Sequence, residues 1–259
     1  MTPTKKKRRR PTRLDALLVE RGFAESVAKA RAMILADEIR VDGEARVKAG
    51  EMVANGARIE IVGGAARYAS RGGIKLEGAL EDFGVSVAEK ICLDVGASTG
   101  GFTDCLLQHG ARRVYAVDVS SDQLAWKLRQ DPRVVVVERN ARYLRSGDLD
   151  GVAVEIVTID VSFISVATIL PAVAAVTSPR AEYLILVKPQ FELPRGEVGA
   201  GGVVRDAALH ERAIERVRGA CAAAGLEVVG VRASRLAGAE GNQEFFIHAF
   251  GPQANIRAS

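Results

Sequence analysis

Apolar positions along this chain follow two different rhythms. From Arg13, Leu14, Leu17 and Leu18 recur at the spacing of a helix with one buried face, and Gly22 is placed to close it. Ser26 predicts the N-cap of a second helix with Ala30, Met33 and Ile34 on its inner face. Ile39-Arg40-Val41 then alternates into Asp42-Gly43, a tight-turn pair, and a second alternating run, Arg58-Ile59-Glu60-Ile61-Val62, follows. Two helices and a small antiparallel sheet over residues 12–62 make an α+β unit. Residues 1–11 read as a disordered tail, and Gly63-Gly64-Ala65-Ala66 opens a linker over 63–71.

Beyond residue 72 the pattern becomes short apolar runs separated by helical stretches. Runs at 91–95, 113–117, 134–137, 154–159 and 183–187 predict strands buried on both faces. One intervening helix ends at Gly110, another carries Leu124, Trp126 and Leu128, and a long one covers 207–224. Strands at 226–231 and 245–250 finish the chain. Strict alternation of strand and helix predicts a doubly wound α/β domain over 72–259, with a mostly parallel seven-stranded sheet.

Composition narrows the class. The chain has 259 residues, 48% of them apolar, which suffices for a sizeable core. No apolar run approaches the ~18 residues of a membrane-spanning helix, and MTPTKKKRRR lacks the apolar centre of a secretory signal. Three cysteines (Cys92, Cys105, Cys221) and three histidines form neither a disulfide framework nor a zinc spacing. These features predict a cytoplasmic protein without a metal site. The net charge of +4 is unevenly spread. Residues 1–71 hold 16 Lys+Arg against 9 Asp+Glu, and the remainder holds 20 against 23. A polyanion-binding module attached to a near-neutral catalytic unit has this distribution. For residues 5–10 alone, a solvated basic tail is the alternative.

The chemistry starts at Asp94-Val-Gly-Ala-Ser-Thr-Gly-Gly101, a glycine-rich turn between a strand and a helix. It is neither a GxGxxG nor a P-loop. An acidic residue before the glycines suits the positively charged sulfonium of S-adenosyl-L-methionine, and Asp118, ending the next strand, is placed to accept both ribose hydroxyls of a nucleoside. The alternative is an ordinary turn with a capping aspartate. Asp160 ends the fourth strand and Lys188 the fifth, so both lie outside the carboxyl ends of a parallel sheet, where ligands bind. Asn140 and Arg142 follow the third strand, at an adenine edge, although Arg142 equally suits a surface charge. Gly196, Gly199, Gly201 and Gly202 make the 192–206 segment either a lid or a passive linker.

Six segments together resemble one family: Ser70-Arg-Gly-Gly-Ile-Lys-Leu76, Asp94–Phe102, Asp160-Val-Ser-Phe-Ile-Ser165, Val187-Lys-Pro-Gln-Phe-Glu192, Gly201-Gly-Val-Val-Arg-Asp206 and Gly241-Asn-Gln-Glu-Phe-Phe246. They look like the TlyA (haemolysin A) family, ribosomal RNA methyltransferases with a FtsJ-like catalytic domain. Arg13-Leu14-Asp15, Gly22, Ser26 and Val41-Asp42-Gly43 resemble the S4 RNA-binding domain that precedes it, with Val27 departing from the basic residue often found there. The resemblance implies a Rossmann-like class I methyltransferase fold behind a small α+β S4 domain. It implies a catalytic tetrad of Lys75, Asp160, Lys188 and Glu244. It further implies cofactor contacts from Asp94, Gly96, Ala97, Ser98, Thr99, Gly100, Gly101, Phe102, Asp118, Asn140 and Asp160, and RNA contacts from Arg13, Arg31, Arg40, Lys48 and Arg71.

The reaction so implied is 2′-O-methylation of ribose, on cytidine of 23S and sometimes 16S ribosomal RNA. Composition argues against a membrane, and a monomer is the expectation over an oligomer. A ribose hydroxyl is a poor nucleophile, so it must be held in line and its proton must have a destination. Lys188 is assigned as the base, Lys75 as the neighbouring cation and phosphate contact, Asp160 as the group orienting Lys188, and Glu244 as the holder of the ribose or of a lysine. Rival readings are a membrane-active haemolysin, a non-catalytic ribosome assembly factor and a small-molecule methyltransferase. The last leaves the basic N-terminal unit unexplained.

Overall fold

In a computed structural model the chain is described over residues 11–35, 38–45, 48–61, 67–238 and 241–252. The basic run 5–10, Val62 and the linker residues 63–66 lie outside the described residues. The chain divides into two compact units, Met1–Arg71 and Gly72–Ser259.

In the first unit β1 (Thr12–Arg13) leads directly into α1 (Leu14–Glu20), followed by α2 (Val27–Leu35), β2 (Ile39–Val41), β3 (Glu44–Ala45), β4 (Met52–Val53) and β5 (Ile59–Ile61). Ser26 accepts from the Lys29 amide at 3.1 Å and so starts α2, as its sequence position predicts. Leu14, Leu17 and Leu18 are buried with Ala30, Met33 and Ile34 in one small core. Strand β2 lies between β3 and β5, antiparallel to both. Asp42 and Gly43 both have positive φ, which tight hairpin turns between right-twisted strands require. The β1–β4 pair, with Thr12 opposite Val53, is additional to the predicted elements; strands of two residues are too short to show an alternation.

Beneath this unit's arginines lies a buried carboxylate. Asp15 is 1% exposed. It accepts from Arg13 Nε and Nη2 at 3.1 and 2.8 Å, from Arg31 Nε at 3.0 Å and from the Ala16 amide at 2.9 Å. The Arg13 hydrogen bond, against the opposing effect of burial, holds its pKa at about 2.

The second unit contains α3 (Gly72–Phe83), β6 (Ile91–Val95), α4 (Gly101–Gln108), β7 (Arg113–Asp118), α5 (Trp126–Arg129), β8 (Val134–Glu138), β9 (Ile156–Ile159), α6 (Val166–Ala175), β10 (Glu182–Val187), α7 (Pro189–Glu192), α8 (Ala207–Ala223), β11 (Glu227–Ala233) and β12 (Phe245–Phe250). The sheet order is β11-β12-β10-β9-β6-β7-β8. Neighbours from β10 through to β8 are parallel, and β12 runs antiparallel to both β10 and β11. This is the expected seven-stranded, mostly parallel sheet. Its direction of winding reverses between β6 and β9, the point at which doubly wound sheets open a crevice. Leu93, Val157 and Ile185 pack in the core with Ile169, Leu170 and Val173 of α6 and Ile214 and Val217 of α8.

Three local expectations change. Helix α3 is absent from the sequence reading, because Gly72-Gly73 disguises its first turn as linker. The helix expected around Trp126 is a 3₁₀ turn, Ser121–Gln123, followed by the single turn α5, and Trp126 is 73% exposed. Strand β8 is an edge strand and only half-buried, so its all-valine run reflects β propensity rather than burial on two faces.

The Asp15 cluster fixes a pH dependence. The unfolded carboxyl titrates near 3.8 and the folded one near 2, so the cluster stabilises the fold above that range and its contribution disappears as pH falls through it. Asp15→Asn is expected to lower the melting temperature of the first unit at pH 7, with the gap to wild type closing towards pH 2. Circular dichroism melts across pH check this.

Candidate active site

The turn after β6 exists for a steric reason. Gly96 has φ +89°, and a Cβ there would overlap the carbonyl oxygen of Asp160. The close approach at Gly96 in the structure is that of β6 to the end of β9. The amides of Gly96 and Ala97 both donate to the Val117 carbonyl, at 2.8 and 3.1 Å, and so tie the turn to β7. Gly100, also at positive φ, leads into α4. The Thr99 carbonyl accepts from the Ala125 amide at 3.2 Å. Phe102 is buried and stacks on Phe246 at 6.2 Å, so its ring belongs to the core.

Asp94 is fully buried, with Oδ2 accepting from Thr103 Oγ1 at 2.7 Å and Oδ1 from Thr158 Oγ1 at 3.1 Å. It fastens β6 to α4 and to β9. Burial pushes its pKa up to about 7, against the pull of the two hydroxyls. Asp118, by contrast, lies at the open end of β7. Its Oδ2 accepts from the Ser98 amide at 2.8 Å and its Oδ1 from the Val119 amide at 2.7 Å. Asn140 is exposed and caps the turn Ala141–Tyr143 by accepting from the Arg142 amide at 3.0 Å. Arg142 and Tyr143 are exposed beside it.

The four candidate catalytic residues form two ion pairs. Lys188 Nζ lies 2.5 Å from Asp160 Oδ1 and donates to Ser162 Oγ at 2.9 Å. Lys75 Nζ lies 2.5 Å from Glu244 Oε2, with both side chains buried. Topology brings these groups to one edge. Asp160 and Lys188 directly follow parallel strands, whereas Glu244 directly precedes β12, which is antiparallel with Phe245 opposite Val187. The start of β12 therefore lies beside the end of β10. Glu244 pairs with Lys75 and Asp160 with Lys188, so each lysine has its own carboxylate.

Several contributors have no role assigned to them by the sequence. Thr103 and Thr158 hold Asp94 but sit in ordinary helix and strand positions. Asn242 lies within a quoted segment and is fully buried. Its Oδ1 accepts from the Val204 amide and its Nδ2 donates to the Gly202 carbonyl, both at 2.8 Å. The glycine-rich segment is thus pinned to the turn that carries Glu244. Phe163, between Asp160 and α6, has φ +66° and is 92% exposed, its ring 5.1 Å from that of Phe191. Among the candidate RNA contacts, Arg13 and Arg31 share Asp15, Arg40 is half-buried and donates to the Ile39 carbonyl at 3.3 Å, Lys48 is exposed and Arg71 is half-buried. Among the described residues no group of three or more His, Cys, Asp or Glu side chains could hold a metal ion.

Residues 68–250 match the FtsJ-like methyltransferase family and residues 12–59 the S4 domain. The chain is 48% identical over 240 residues to the 16S/23S rRNA (cytidine-2'-O)-methyltransferase TlyA of Mycobacterium tuberculosis, covering 92% of this chain and 89% of that protein. The chain belongs to the TlyA family of FtsJ-like methyltransferases. It is also 41% identical to Hemolysin A of Brachyspira hyodysenteriae, over 91% of this chain and 98% of that one. A solved structure from Streptococcus thermophilus, likewise named a hemolysin, superposes with a TM-score of 0.73 at 41% identity, covering 95% of this chain and 92% of its own. Within this TlyA-family fold, each sheet-edge carboxylate has a distinct partner: threonines for Asp94, backbone amides for Asp118, lysines for Asp160 and Glu244.

Asp94 supplies a test with a definite sign. Its carboxyl gives up its proton near pH 3.8 when unfolded and near 7 when folded, so the folded state holds the extra proton and wild-type stability falls as pH rises across that interval. Asn cannot ionise. The stability of Asp94→Asn relative to wild type is expected to rise between pH 4 and pH 8, by about 4 kcal/mol at most. Urea denaturation at each pH measures it.

Proposed function

We propose that this protein methylates the 2′-hydroxyl of a cytidine ribose in ribosomal RNA, 23S foremost, with S-adenosyl-L-methionine as methyl donor. The observation that carries the reading is the set of two lysine–carboxylate pairs at the carboxyl edge of the sheet, beside the glycine turn and Asp118. We assign residues 12–62 as the RNA-targeting domain, 63–71 as linker and 72–259 as the catalytic domain of a cytoplasmic monomer.

The donor set fits the cofactor. Each Asp118 oxygen accepts a short hydrogen bond from an amide and retains acceptor capacity for a ribose hydroxyl. Ser98, Thr99 and the exposed Asn140 border the same end of the sheet. When bound, the cofactor supplies a methyl group on a cationic sulfur. The chain's own groups then solve two problems: holding the hydroxyl in line and accepting its proton. Lys188, once its ammonium has given up a proton to leave the free amine, is the proton acceptor, held at the end of β10 by Asp160 and Ser162. Lys75, anchored by Glu244, provides a fixed cation for the adjoining phosphate. Buried ion pairs add little net stability compared with apolar residues of the same volume, which supports a chemical reason for their presence.

Phe163 supports an RNA rather than a small-molecule substrate. A phenyl ring exposed beside the catalytic strand ends offers a stacking face for an unpaired base. The basic first unit supports it independently, with Arg13 and Arg31 half-exposed and fixed in orientation by Asp15.

Mapping 2′-O-methylation on ribosomal RNA, with and without the gene and with a Lys188→Ala allele, is the deciding experiment. Lys188→Ala is expected to abolish transfer with cofactor affinity unchanged by calorimetry; normal modification by that allele would remove Lys188 from the chemistry. Asp118→Ala is expected to weaken cofactor binding by roughly 5- to 150-fold, the value of buried hydroxyls losing their acceptor. Arg31→Ala leaves Asp15 paired with Arg13. It should weaken RNA binding and make the slope of log affinity against log salt shallower by about 0.7–0.9, one phosphate contact.

A further inference from the structure

The segments that carry Asp160 and Lys188 are joined along their length. Next to the strands, Lys188 reaches Asp160 and Ser162. Further out, Phe191 meets Phe163 at 5.1 Å. Furthest out, Glu192 closes the junction: Oε1 accepts from the Val166 amide at 2.8 Å and Oε2 from Ser165 Oγ at 2.5 Å, with Arg216 Nε of α8 at 3.9 Å from Oε2. Glu192 is 3% exposed. An apolar side chain would fill the same space without the cost of burying a charge, so the carboxylate is present for its hydrogen bonds. Those bonds cap α6, where Ser165 Oγ also accepts from the Ala167 amide at 3.2 Å, and a carboxylate is favoured at a helix N-terminus. The 160–165 segment is therefore fixed at one end by β9 and at the other by a residue only four positions after Lys188.

We infer that Glu192 is a positioning residue for methyl transfer, one that locks the 160–166 segment to the turn bearing Lys188 and so keeps Asp160 and Ser162 within reach of Lys188 Nζ. The inference rests on the proposed role of Lys188. The hydrogen bonds and ion pair of Glu192 go to Ser165, Val166 and Arg216 and none to the cofactor turn, so its effect falls on the chemical step and not on cofactor binding.

The test uses the full-length protein with Glu192→Ala, the conservative Glu192→Gln and Ser165→Ala. Turnover is expressed per cofactor-binding site, counted by calorimetric titration, and amide hydrogen exchange is followed by segment. Glu192→Ala is expected to lower kcat on the order of 100-fold, as loss of reacting-group alignment does, with unchanged cofactor Kd and RNA KM. Exchange should quicken over 160–167 and stay unchanged over 91–102. Glu192→Gln keeps an acceptor for the Val166 amide and should recover most of the lost kcat. A kcat per site equal to wild type in Glu192→Ala overturns the proposal, as does a parallel loss of kcat and cofactor affinity, or unchanged exchange at 160–167. If Glu192→Ala does not fold, Ser165→Ala decides by the same pattern: lowered kcat with intact cofactor binding supports the positioning role, and wild-type kcat overturns it. Should Lys188→Ala prove fully active, the assignment of the base fails on that result alone. The exchange arm still reports whether Glu192 holds the 160–166 segment.

Discussion

The antiparallel pairing of β12 with β10 is the constraint on which the site depends. In a wholly parallel sheet only residues that follow strands reach the carboxyl edge. Reversing one strand delivers a residue that precedes it, and the Val187–Phe245 register sets Glu244 beside the chain leaving β10. Lys75 then has a carboxylate to meet as α3 packs in, and the pair is buried. Removing either partner leaves an uncompensated charge in a low-dielectric setting, at about 3–5 kcal/mol. The same edge is crowded at its centre, where the absence of a side chain at Gly96 lets the ends of β6 and β9 come together. The geometry of the candidate site follows from sheet register and one steric vacancy more than from any loop.

Much of this could be read in the sequence. Short apolar runs separated by glycine turns define seven strands, and residues placed directly after the parallel ones must lie at one edge. The pairing of the tetrad was not legible, because it depends on where α3 begins and how β12 registers, and neither is a local property. Helix α3 itself was masked by Gly72-Gly73. The partners of Asp94 are equally hidden: every residue of β6 is buried, so alternation offers no way to tell which neighbours its carboxylate meets. Trp126 failed for the opposite reason. An apolar residue at helical spacing is taken as core, and here it stands in solvent.

Asp15 and Asp94 show how little residue type decides by itself. Both are buried aspartates, and both fasten separate elements together. Guanidinium partners drive one towards pH 2, while hydroxyl partners leave the other near 7, because a hydroxyl compensates only part of the lost hydration of a charge. One carboxylate is a permanent anion that orients cations. The other is a polar fastener able to exist without its charge.

Phe163 combines two unfavourable features, a phenyl ring in water and a left-handed backbone at a residue with a Cβ. Any redesign guided by folded-state energy would replace it first, with glycine or asparagine, and would register an improvement. If its ring stacks on a base as proposed, position 163 is a site where stabilisation and substrate handling pull in opposite directions. A thermostabilised version of this enzyme should therefore be built outwards from that residue, with 163 held fixed while the sheet and helices are optimised.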